Sequence, residues 1–173
     1  MRYPGFWISY VILLAAQTVL CDCFNLTQLL SLWFLPVMVL CIPIRCSTPA
    51  ALLIAFLSGM AVDVLAIGVP GLCTVAILPV ALTRNLIIRA VFGGEVFSRG
   101  EDISIRRQGI VKMTLATALA TALFLLVFIR ADGGFTRPFW FNFGRFFISL
   151  AADTLLSVLL CATVLHEESS VWR

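Results

Sequence analysis

Five polar side chains, Asp63, Arg84, Asn85, Arg145 and Asp153, fall within or at the edges of stretches that are otherwise apolar. A charge at bilayer depth costs about 2.5–3.5 kcal/mol or more, so each must meet a partner or face a cavity. Two carboxylates and two guanidiniums can pair with one another or line a binding site. They are poorly equipped for catalysis. The one histidine, His166, lies past the last apolar run, and the chain holds no Gly-x-Ser-x-Gly, His-Glu-x-x-His, phosphate-binding loop or dinucleotide fingerprint. Six cysteines (Cys21, Cys23, Cys41, Cys46, Cys73, Cys161) sit in or beside apolar runs at spacings that fit no zinc pattern, so they read as small hydrophobes. The expectation is a protein that is not an enzyme and needs no metal or cofactor.

Spacing groups these residues. Ala51, Ala55, Gly59 and Asp63 recur every fourth position, which places them on one helical face. Three small residues in such a stripe let two helices approach closely, within the bundle or with a partner span. Asp63 then lies at a protein contact or cavity, as a structural group or a functional one. Arg145, Ser149, Asp153, Ser157 and Cys161 form a second stripe with the same period, a face that must look inward. At ~1.5 Å per helical residue, Arg84 and Asp153 lie roughly 18 and 13 Å from the end of their spans that faces outside, and Asp63 only ~6 Å. That arithmetic predicts that Arg84 pairs with Asp153, leaving Asp63 to a partner, a cavity or Arg145.

The elements that must hold these groups are membrane helices. Of 173 residues, 61% are hydrophobic and 12% charged, against about 25% charged in soluble domains, and mean hydropathy is +1.06. Six apolar runs, 6–21, 29–44, 50–67, 72–91, 110–129 and 144–165, are long enough to cross a ~30 Å hydrocarbon core. The chain is therefore expected to be an all-α integral membrane protein, a six-helix bundle forming one domain over 1–173. The first run resembles a signal peptide, but Ala15-Ala16-Gln17 is a poor cleavage site, and it is read as a retained span. Pro43 and Pro49 break the chain between the second and third spans, and Gly68-Val69-Pro70-Gly71 turns it between the third and fourth. Pro36 and Pro79 are expected to kink their helices.

Orientation follows from the basic residues. With the N-terminus inside, Arg2, Arg45, Arg84, Arg89, Arg99, Arg106, Arg107, Lys112 and Arg173 lie on or toward the cytoplasmic side, against Arg130, Arg137 and Arg145 outside. Nine against three predicts both termini in the cytoplasm. The net charge of +3 carries no further meaning, and nucleic acid is not an expected partner. The longest inner loop, 92–108, mixes Arg99, Glu101, Asp102, Arg106 and Arg107, a candidate contact for a cytoplasmic partner if it is more than a solvated loop. Outside, Phe139, Trp140 and Phe141 belong to an aromatic cluster that fits an interfacial belt in lipid or a partner surface.

Phe56-Leu57-Ser58-Gly59-Met60-Ala61-Val62-Asp63, the Val69-Pro70-Gly71 turn and Thr83-Arg84-Asn85-Leu86, followed by a Gly-Glu-Asp segment, resemble the rod shape-determining MreD family. That family pairs a Gly-x-x-x-Asp near the outer end of one helix with a Gly/Pro turn and an Arg in the inner half of the next. The specific likeness covers residues 56 to about 102. Where many members carry a His after the turn, this chain has Cys73. The resemblance implies a non-enzymatic scaffold of the cell-wall elongation complex in a bacterial inner membrane. Its implied partners are an MreC-like bitopic protein, the filament protein MreB and the elongation polymerase and transpeptidase. It also implies a fold similar to the substrate-binding subunits of energy-coupling vitamin transporters, so the alternative is a small-solute-binding transporter subunit.

Overall fold

The structure, a computed structural model, describes residues 4–24, 32–43, 46–93, 109–133 and 139–167. In chain order the helices are α1 (Pro4–Phe24), α2 (Leu35–Leu40), α3 (Thr48–Val62), α4 (Leu72–Phe92), α5 (Ile110–Gly133) and α6 (Phe139–Glu167). A π turn, Asp63–Ile67, prolongs α3. No strand occurs among the described residues. Four segments, Thr48–Ile67, Leu72–Phe92, Val111–Asp132 and Trp140–Leu159, are long and apolar enough to cross a membrane, and α1 adds a shorter apolar stretch, Trp7–Cys21. The protein is thus an all-α membrane protein.

The expected second span is not one helix. Within 32–43 only Leu35–Leu40 is helical, which at ~1.5 Å per residue covers ~9 Å of a ~30 Å core. Pro36 does not kink this helix but starts it, because a residue without an N–H fits only the first turn, where no helical acceptor is needed. All six residues of α2 are buried, enclosed by α1, α3, α4 and α5. Backbone that is not helical survives at membrane depth only inside protein, and this enclosure supplies that shelter. Trp33, just ahead of α2, lies 5.6 Å from Phe124 and 4.9 Å from Phe128 of α5 between ring centroids. Residues 29–31 and 44, which complete the expected span, lie outside the described residues.

The small-residue stripe is a contact inside the bundle. Ala51, Ala55 and Gly59 are buried, and a Cβ placed on Gly59 would stand 2.8 Å from Thr74 Cα and 3.1 Å from Ile77 Cγ2, both on α4. Backbone cannot step aside as a flexible side chain can. Gly59→Ala is therefore expected to destabilise the protein by about 1–3 kcal/mol through overpacking, and Gly59→Leu to leave no monodisperse folded material. Thermal melts followed by size-exclusion in detergent measure both, and a Gly59→Leu protein with a wild-type midpoint would contradict the contact. The α3–α4 connection needs glycine at two places, Gly68 (φ 72°) closing the π turn and Gly71 (φ 103°) opening α4.

Candidate functional site

The π turn holds Asp63 at the tip of α3, and the Gly68–Gly71 turn brings the first turn of α4 back beside it. Asp63 Oδ1 accepts the Cys73 N–H (2.7 Å). Its Oδ2 accepts the N–H groups of Gly71 and Thr74 (both 3.0 Å) and the Thr74 hydroxyl (2.7 Å). The leading N–H groups of a helix have no partner within it and carry the positive end of its dipole. A carboxylate from the preceding helix satisfies them here, completely buried. Asp63 does not meet Arg145, as depth alone suggested: Arg145 Nη1 donates to Asp132 Oδ2 at 2.6 Å, joining the facing ends of α5 and α6. Backbone donors eight to eleven residues away out-compete a guanidinium on α6 because the turn delivers them directly.

The ends of α2 are served in the same way by side chains from three other helices. Before the helix, the Trp33 N–H donates to Asp153 Oδ1 (2.7 Å) and the Phe34 N–H to Gln17 Oε1 (3.0 Å). The amide nitrogen of Gln17 returns a bond to the Leu32 carbonyl (3.2 Å). After it, Arg84 Nε donates to the Leu40 carbonyl (3.3 Å) and its Nη2 to that of Ile42. A carboxyl group thus serves the N-terminal end of the short helix and a guanidinium its C-terminal end. The expected Arg84–Asp153 ion pair is not formed. In hydrocarbon each bare N–H or C=O costs several kcal/mol, so the open ends of α2 claim both charges. Asn85 donates from Nδ2 to Thr48 Oγ1 (3.1 Å), fastening α4 to the start of α3.

No family model, curated protein or solved structure matches the chain. What it can do is therefore read from its own geometry. Asp63, Arg84, Asn85 and Asp153 are all engaged in holding helices, yet the set is not closed. Asp153 Oδ2, Ser157 Oγ and Trp33 Nε1 are buried polar atoms with no hydrogen-bond partner. The described residues contain no group of His, Cys, Asp and Glu suited to a metal, and Cys21, Cys41, Cys46 and Cys73 are not joined in disulfides.

Sequence reasoning overlooked Gln17, Trp33 and Asp132. A Gln in the middle of an apolar run was a usable signal for the first, but nothing in the sequence marked the backbone of residues 32–34 as the group needing it. Phe139 begins α6, five residues before the expected start. From there Trp140 (81% exposed), Phe143 and Phe147 run along its outward face, with ring centroids 6.4 and 4.7 Å apart, and Phe141 is half-buried. The candidate loop residues Arg99, Glu101, Asp102, Arg106 and Arg107 lie outside the described residues.

Proposed function

We propose that this chain is a six-span, non-enzymatic scaffold of a bacterial cell-wall elongation complex, set in the inner membrane with both termini in the cytoplasm. The observation that supports the reading best is the interlocking of the residues that carry the family resemblance. Gly59 admits α4, Asp63 caps it across the Gly71 turn, and Arg84 on the same helix holds the far end of α2. Each is committed to a rigid frame, which suits a protein that positions others. The partners would meet that frame through exposed faces such as Trp140, Phe143 and Phe147 and through the 92–108 loop. They would be an MreC-like bitopic protein and, through it, MreB, the polymerase and the transpeptidase.

A second reading, a small-solute-binding subunit of a membrane transporter, draws on the unpartnered Asp153 Oδ2 and Ser157 Oγ, since convergent polar groups in an apolar setting are what a solute site needs. Crosslinking in native membranes followed by affinity capture separates the two. Recovery of a bitopic wall-synthesis protein supports the scaffold, whereas recovery of an ATP-driven energising module in its place overturns it. The orientation has its own check: alkaline phosphatase fused after Gly100 is expected to be inactive and after Thr136 active, and the reverse pattern would invert the topology.

A further inference from the structure

We propose that Asp153 and Ser157 of α6, with Thr121 of α5, form a site for a small monovalent cation of sodium size within the bundle. All three residues are wholly buried. Asp153 and Ser157 are one helical turn apart on one face, and each presents an oxygen, Oδ2 and Oγ, that meets no hydrogen-bond donor. In an apolar interior a carboxylate met by a single N–H keeps its charge only with a cation beside it, and otherwise takes up a proton. Neither of the two buried guanidiniums among the described residues answers it: Arg145 lies two turns away bonded to Asp132, and Arg84 reaches the carbonyls at the other end of α2.

The level of Thr121 follows from the register of two antiparallel helices. Arg145 meets Asp132; Ser157 is twelve residues beyond Arg145, and Ala120 is twelve before Asp132. Ser157 therefore stands at the height of Ala120 and Thr121. The Thr121 hydroxyl donates its proton to the Thr117 carbonyl (2.7 Å), so its oxygen faces neighbours only as an acceptor. The ring of Trp33 packs against Phe124 and Phe128 of α5. Along the facing stretch of α5 and α6 the chain offers a carboxylate oxygen and two hydroxyl oxygens. Hard oxygen donors around one negative charge select a small cation rather than an anion or an apolar ligand.

The test uses the full chain, purified in detergent and melted in sodium, potassium or choline chloride at matched ionic strength. Saturating sodium is expected to raise the midpoint by roughly 5–10 °C over choline. Asp153→Asn, which keeps an acceptor for the Trp33 N–H, should abolish the sodium increment, and Ser157→Ala should raise the sodium concentration needed for half the effect about tenfold. If Asp153→Asn yields no folded protein, Ser157→Ala and the isosteric Thr121→Val decide. Equal midpoints in the three salts, or a sodium increment unchanged in the variants that fold, would overturn the site. So would a midpoint that follows pH alone in choline and ignores sodium, since the carboxylate would then hold a proton instead.

Discussion

Asp63→Ala is expected to leave little or no folded protein. The substitution strips acceptors from three backbone N–H groups and the Thr74 hydroxyl at once, all at the buried joint between α3 and α4. With about 1–3 kcal/mol lost for each buried group left unsatisfied, the total reaches at least ~4 kcal/mol, a large share of the 5–15 kcal/mol that holds a typical protein together. Asp63→Asn should be intermediate. Three donors converge on Oδ2 and one on Oδ1, so an amide must turn its own N–H groups toward one set or the other. Yield of monodisperse protein and its melting midpoint measure the series. Wild-type stability for Asp63→Ala would refute the cap.

Arg84→Leu and Asp153→Leu should each cost about 2–4 kcal/mol, and the double variant should cost about their sum. The reasoning separates two arrangements with opposite outcomes. Partners in one ion pair rescue each other, because removing both leaves no stranded charge. Here Arg84 serves the carbonyls of Leu40 and Ile42, and Asp153 serves the Trp33 N–H, so removing one does nothing for the group the other satisfies. A double-mutant cycle on melting free energies gives the answer. Recovery in the double variant to above the worse single one would restore the ion pair.

The contrast between the two carboxylates shows what was legible. The four-residue period placed Ala51, Ala55 and Gly59 on a contact face, and the structure sets that face against α4. The turn residues Gly68 and Gly71 were visible as punctuation, and the helices α3, α4 and α5 begin and end within a few residues of the apolar runs. What stayed hidden was the identity of the partners. Counting charges along a sequence finds other charges, whereas three of the four groups answered backbone: Asp63 the start of α4, Asp153 and Arg84 the ends of α2. Those backbone groups become available only where helical pairing stops. Hydropathy cannot report this at 29–44, because Leu, Ile, Phe and Val raise it by the same amount whether they are helical or extended. Pro36 was the residue that marked the break, and it reads as a kink until its place at the start of a helix is known.

The placement of α2 also sets an order on biogenesis. The chain emerges N-terminus first, and α2 leaves the ribosome long before the residues that complete it. Gln17 precedes it, Arg84 follows 42 to 44 positions after the carbonyls it holds, and Asp153 comes 120 after Trp33. A nascent chain released from the translocon before α6 arrives therefore carries an exposed Trp33 N–H in lipid. A helix made long after the second closes the joint that the second leaves, so quality-control proteases that survey membrane proteins would find forms truncated before α6 marked by a single unfinished helix end.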